Sequence, residues 1–231
     1  MSDFYYYGID SLYIYLVVPA IIIMLWSQIR VKTAFSKYSA HHSPLTGADA
    51  ARRVLEANGV YNVKIERVSG NLTDHYDPRT NVIRLSDSVY GANNLSAVGV
   101  AAHEAGHAVQ YAKGYVPIKV RSVILPVCNL GSQLSMPLLI IGLIFNFYFL
   151  VKLGVIFFCA ALLFQLLTLP IEFNASHRAL VTLDSSGLIK EDEKKAVRKV
   201  LSAAAMTYVA ALLVSLTQLI RLLALTKRNR R

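Results

Sequence analysis

Cysteine is scarce in this chain: there are two among 231 residues, Cys128 and Cys159, both in apolar surroundings. That excludes a disulfide framework and a cysteine-based metal site, and both read as small buried hydrophobes. Charge is scarce as well. Asp, Glu, Lys and Arg make up 16% of the residues against 55% hydrophobic ones, a balance that argues against a soluble protein and for an integral membrane protein. The net charge is +10, yet the basic residues are scattered between apolar segments, with one cluster at Lys227, Arg228, Arg230 and Arg231. Basic flanks beside apolar spans are what membrane topology requires, and no nucleic-acid module accompanies them, so no nucleic-acid partner is expected. Residues 1–11 carry no Lys or Arg, and no small-residue cleavage site follows the first apolar run. That run is expected to be a retained anchor and not a removed signal peptide.

What the chain does contain is His103-Glu104-Ala105-Gly106-His107. On a helix, positions four apart lie one above the other on one face, so both imidazoles can reach one metal ion. Glu104 sits beside that face, where its carboxylate can serve as general base without ligating. Two His ligands and a neighbouring Glu are the pattern of a zinc hydrolase, whereas the plainer reading is two histidines one turn apart in a core or on a surface. The surroundings favour a helix. Asn93, Asn94 and Ser96 are N-cap candidates, and Lys113-Gly114 closes the run with a basic last turn and a terminal glycine. Ala105, Gly106 and Ala108 leave room for substrate or for a packing helix.

Around this motif the chain divides into four parts: an anchor helix in 1–29, a catalytic part in 30–121, a membrane hairpin in 122–170, and a third-ligand segment with a long C-terminal helix in 171–231. In the first, Pro19 is expected to kink the span, and Tyr13, Tyr15 and Trp26 suit the two interfaces. Arg30, Lys32 and Lys37 follow at once and place the catalytic part in the cytoplasm by the positive-inside rule. In the second part, residues 45–55 read as a capped amphipathic helix ending near Asn58-Gly59. Residues 63–68 and 81–86 alternate as strands, with Asp77-Pro78 as a turn between them. The second strand is read either as a sheet edge on which an extended substrate pairs, or as half of an ordinary hairpin covering the motif helix. His75 could help a catalytic site but reads more simply as a solvated loop histidine, and His41-His42 is a weaker candidate still.

The hairpin is expected to turn around 146–152, with Asn129, Ser132, Gln133 and Ser135 packed on protein or lining a wet groove. Just beyond it, Pro170-Ile171-Glu172-Phe173-Asn174 returns to the side of the motif helix. A catalytic zinc takes three protein ligands and keeps one position open, and Glu172 can supply the third. His177 is a second candidate, either to ligate the metal or to hydrogen-bond a transition-state oxyanion, and otherwise a surface histidine; Arg178 suits the lipid interface or a salt bridge. The apolar stretch 197–226 can span, or can pack on the motif helix through Ala203, Ala204 and Ala205. Packing satisfies every charge cluster with three spans and is the reading favoured.

These segments together, with Asp74-His75-Tyr76-Asp77-Pro78-Arg79 and Ala203-Ala204-Ala205-Met206-Thr207-Tyr208, resemble the YugP-like bacterial neutral zinc metallopeptidases over nearly the whole chain. The resemblance implies a membrane-bound zinc peptidase, distantly similar to HtpX-like membrane proteases. Those commonly carry an Asp four residues after the ligand Glu, where this chain has Ser176, so the resemblance does not say what supports the histidines. The expected fold is a mainly α integral membrane protein with a zincin-like helix, a small β-hairpin or sheet and three to four transmembrane helices. The expected function is Zn²⁺-dependent hydrolysis of peptide bonds in membrane or membrane-proximal proteins, with His103, His107 and Glu172 on the metal and Glu104 as base. Two other readings stand beside it: an inactive zinc-stabilised scaffold, and an intramembrane zinc protease using Asp184 of Leu183-Asp184-Ser185-Ser186-Gly187.

Overall fold

A computed structural model describes residues 11–228 of the chain. Its elements run α1 (Val18–Ser39), α2 (Gly47–Ala57), β1 (Lys64–Val68), β2 (His75–Asp77), β3 (Val82–Ser86), α3 (Leu95–Ala112), α4 (Val116–Ile144), α5 (Tyr148–Ser185) and α6 (Glu191–Arg228). The protein is thus a mainly helical integral membrane protein with one three-stranded sheet. Four helices among the described residues are long and apolar enough to cross a bilayer. The residues group into two compact units: one takes 28–119 and 170–206, the other the described residues of 1–27, 120–169 and 207–231.

In the first unit α3 is the central element. Leu95, Ala97, Val98, Ala101, Ala102, Ala105, Ala108 and Val109 are all buried, so nearly its whole circumference meets protein. Around it lie Val54 and Leu55 of α2, Ile83 and Leu85 of β3, Leu183 of α5, and Val197 and Val200 of α6. The helix starts where Asn94 accepts a hydrogen bond from the Ala97 amide at 2.9 Å, and the chain turns away at Gly114 with φ +69°. Helix α2 begins with a capping box between Thr46 and Asp49.

The sheet corrects the expected hairpin. Strands β1 and β3 are parallel, with Lys64 opposite Val82. Strand β2 pairs antiparallel on the other side of β3, with Tyr76 opposite Ile83. The order is therefore β1-β3-β2, and β3 is the central strand with both edges occupied. It cannot accept a substrate strand; the open edges belong to β1 and β2. Three residues are too few for β2 to show a period-two pattern, which is why that stretch read as loop.

In the second unit the anchor does not simply kink at Pro19. A π-helical turn, Tyr13–Val17, precedes it, and the Val18 amide donates to the Tyr13 carbonyl five residues back. Proline has no N–H and its ring crowds the carbonyl four residues earlier, and widening the ladder relieves both. Helix α4 starts at Val116, absorbing the basic connector, and runs through Pro126 and Pro137. The hairpin turn is tighter than expected. Only residues 145–147 separate α4 from α5, with Asn146 at φ +51°. The two arms approach closely at Gly154, where an added Cβ would lie 2.7 Å from Leu139 Cγ and 2.9 Å from the Ser135 carbonyl. Of the polar residues of α4, Ser132 donates to the Asn129 carbonyl and Ser135 to the Ser132 carbonyl, within their own helix.

Helices α5 and α6 each serve both units. Leu169 ends the part of α5 in the apolar unit and Pro170 starts the part in the other; α6 changes over between Met206 and Thr207. The choice between packing and spanning for the last segment was therefore not a choice. Val197, Val200 and Leu201 pack in the core around α3, while α6 as a whole retains the length and apolarity of a span.

Candidate metal centre

His103 and His107 project from one face of α3, with ring centroids 4.7 Å apart and planes at 81°. Glycine at 106 decides what reaches them. A Cβ there would stand 2.5 Å from the Ala175 carbonyl oxygen, so only glycine lets the α5 backbone pass this close. Of the two uses the small residues of the motif could have had, this one serves a packing helix. The approach presents Glu172, which is buried, to both histidines. Its Oε2 lies 3.3 Å from His103 Nε2 and 3.4 Å from His107 Nε2, and the ligating atoms of all three residues fall within 4.8 Å of one another.

These distances fit a metal. Tetrahedral zinc bonded at about 2.1 Å holds its ligand atoms roughly 3.4 Å apart, and two imidazoles with one carboxylate leave a position open. The cluster can thus hold Zn²⁺ through His103, His107 and Glu172.

The opposite nitrogens of both rings are engaged. His103 Nδ1 lies 3.0 Å from Ser176 Oγ, so the residue four after Glu172 is the histidine's partner. His107 Nδ1 lies 3.1 Å from Gln110 Oε1. The Gln110 amide nitrogen donates in turn to the Ile171 carbonyl at 2.8 Å and to Asn174 Oδ1 at 2.9 Å. Arg178 Nε donates to the same Asn174 oxygen at 2.7 Å, and its guanidinium lies over the Tyr115 ring. Arg178 therefore supports this cluster rather than a lipid interface.

Glu104 is buried one position round from His103. Burial works against a charged His107, but the Glu172 carboxylate beside it, and the charge of Glu104, leave its pKa above the ordinary value. Asp74, just before β2, accepts hydrogen bonds from the Ser86 amide at 2.7 Å and the Ser86 hydroxyl at 3.0 Å. Burial, with a smaller contribution from Glu104, outweighs these bonds and raises its pKa.

The remaining candidates lie elsewhere. His177 is exposed on α5; five residues beyond Glu172, it points roughly 140° away around the helix. None of the hydrogen bonds among the described residues engages it. His75 is exposed on β2, with Nδ1 against the Thr73 carbonyl. His42 bridges to Asn94, and His41 Nδ1 meets the Lys37 carbonyl. Asp184 pairs with Lys194 at 2.6 Å and has no place among the ligands.

Gln110, Asn174 and the supporting role of Ser176 were not singled out from the sequence. A signal existed: Gln110 lies three residues after His107, and Ser176 four after Glu172, so each shares the ligand's helix face. Without knowing that α3 and α5 touch, that spacing has no meaning.

No solved structure matches the chain. A protein of Bacillus subtilis (strain 168) described as "Putative membrane protease YugP" is 48% identical over 212 residues, 91% of this chain and 94% of that one. The family model described as "Putative neutral zinc metallopeptidase" matches residues 13–227, which hold the three ligand candidates and the candidate base. The chain belongs to that family of neutral zinc metallopeptidases.

Proposed function

We propose that the protein hydrolyses peptide bonds at this centre, with Glu104 as general base, and that its substrates are membrane proteins or peptides close to the bilayer. The observation that carries the reading is the convergence of His103 Nε2, His107 Nε2 and Glu172 Oε2 with Glu104 on the same helix. Zinc, when bound, supplies a Lewis acid that acidifies water and polarises a carbonyl. The protein's own part is positional and protonic. His103, His107 and Glu172 hold the ion; the Glu104 carboxylate takes the proton of the attacking water and returns it to the leaving amide nitrogen. Its burial keeps bulk water from competing for that proton. An extended substrate would pair with the open edge of β2. Support for this comes from Asp74 at the head of β2, whose carboxyl feels the charge of Glu104, and from Tyr76, which packs against Tyr111 of α3 at 5.5 Å. His177 has no part in this scheme.

The membrane reading follows from the four apolar helices, and the cytoplasmic side from Arg30, Lys32 and Lys37 beside the anchor. Glu104→Gln is the decisive variant. It should lower turnover of a generic protein substrate by roughly 10²–10⁴ while the purified protein keeps its zinc. Loss of zinc would make Glu104 a ligand, and full activity would require another base.

A further inference from the structure

We propose that Gln110 is a positioning residue for the metal centre, holding the imidazole of His107 and the α5 backbone beside Glu172 in one hydrogen-bonded clamp. The inference rests on the metal reading above and adds to it what prepares the ligands.

The argument runs along a chain of groups whose donor or acceptor character is fixed. A guanidinium can only donate. Arg178 Nε donates to Asn174 at 2.7 Å, so the Asn174 atom facing it is the carbonyl oxygen. That oxygen lies 2.9 Å from Gln110, which must therefore present its NH₂ there. The Ile171 carbonyl, 2.8 Å away, is a second acceptor and demands the same orientation. The Gln110 carbonyl oxygen is then the atom left to face His107 Nδ1 at 3.1 Å, and it can only accept. His107 Nδ1 carries the hydrogen, and Nε2 presents its lone pair toward Glu172 and the metal position. The amide cannot flip without setting donors against Nδ1–H and an oxygen against two oxygens. Gln110 is fully buried, so water cannot substitute for the lost partners.

The same side chain bonds the backbone of Ile171, the residue before the third ligand. One buried amide thus sets the tautomer of one ligand on α3 and the height of another on α5. Ser176 at His103 has no comparable directionality, because a hydroxyl both donates and accepts.

The test uses the full chain in detergent, with zinc affinity measured by chelator competition and the visible spectrum of the Co²⁺-substituted protein. Gln110→Met keeps the volume and removes every hydrogen bond; it should weaken zinc binding roughly 10–100-fold and alter the Co²⁺ bands. Gln110→Glu keeps the acceptor for Nδ1–H but turns an oxygen toward the Ile171 and Asn174 oxygens, so it too should bind zinc more weakly than the wild type. Unchanged affinity and spectrum in Gln110→Met would overturn the proposal. So would a folded Gln110→Glu protein that binds zinc with wild-type affinity and native bands, because the bonds to α5 would then not be what matters. Wild-type protein that binds no zinc, or His107→Ala protein that binds it normally, would instead remove the metal reading on which the proposal stands.

Discussion

Three side chains from two helices meet at one point. Glu172→Ala should reduce zinc affinity by more than the roughly 10–100-fold that loss of an outer partner costs. His177→Ala and Asp184→Ala should leave it within a few-fold, since one is exposed and the other is paired with Lys194. Parallel chelator titrations of the three proteins check this, and metal loss confined to the Asp184 variant would favour the intramembrane class. A pH dependence follows from His107, whose pKa in the metal-free protein is raised. Protons compete with the metal, so zinc affinity should fall as the pH drops through that raised value. The stability of the metal-free protein should run the other way. A raised folded-state pKa contributes stability that is fully present below the unfolded value near 6.5 and is lost as the pH rises through the folded one. Metal-free protein should therefore melt lower as the pH rises through the raised folded-state value, and zinc should reverse the trend; Tm against pH with and without zinc measures both.

At the scale of elements, the contact between α3 and α5 is what turns two sequence motifs into one site. Gly106→Ala places a methyl against the Ala175 carbonyl and should cost about 1–3 kcal/mol of stability. It should also weaken zinc binding, because Glu172 and Ser176 ride on the displaced helix. Asn94→Ala, which removes the cap of α3, should cost about 1 kcal/mol while leaving zinc affinity intact, since the cap lies more than two turns before His103. Thermal melts combined with chelator titration separate the two effects. The cap was legible in advance because capping is local chemistry. The order β1-β3-β2 was not, because the alternation within a strand does not say which neighbour it pairs with or in which direction.

For the whole molecule, four apolar helices and a catalytic unit assembled from two stretches of chain predict an even number of crossings between the N- and C-termini. Cysteine introduced in an otherwise Cys-free chain tests this in intact cells. Ala40→Cys should react only after permeabilisation, and Tyr5→Cys and Asn229→Cys from outside. External labelling at 40 would overturn the cytoplasmic site, and a protected 229 would restore three spans. An external tail sets Lys227, Arg228, Arg230 and Arg231 against the positive-inside rule. The cytoplasmic reading rests instead on Arg30, Lys32, Lys37, Lys119 and Arg121 beside two other spans, and the labelling decides between the two sets of charges.

The sequence by itself determined the candidate ligands and the candidate base. His103, Glu104 and His107 are placed by helical spacing, which is local, and Glu172 by the need for a third ligand after a hairpin that crosses and returns. Length and apolarity likewise determined the helices able to span. Only the tertiary structure decided which small residue was a contact, which polar residue supported which histidine, and which strand lay in the middle of the sheet. At the metal centre this is approach between segments about 60 to 70 residues apart, such as Gly106 with Ala175 and Gln110 with Ile171; in the sheet it is the pairing of β1 with β3 past the intervening β2. Periodicity reports the face a residue occupies on its own element, and it carries no record of what covers that face.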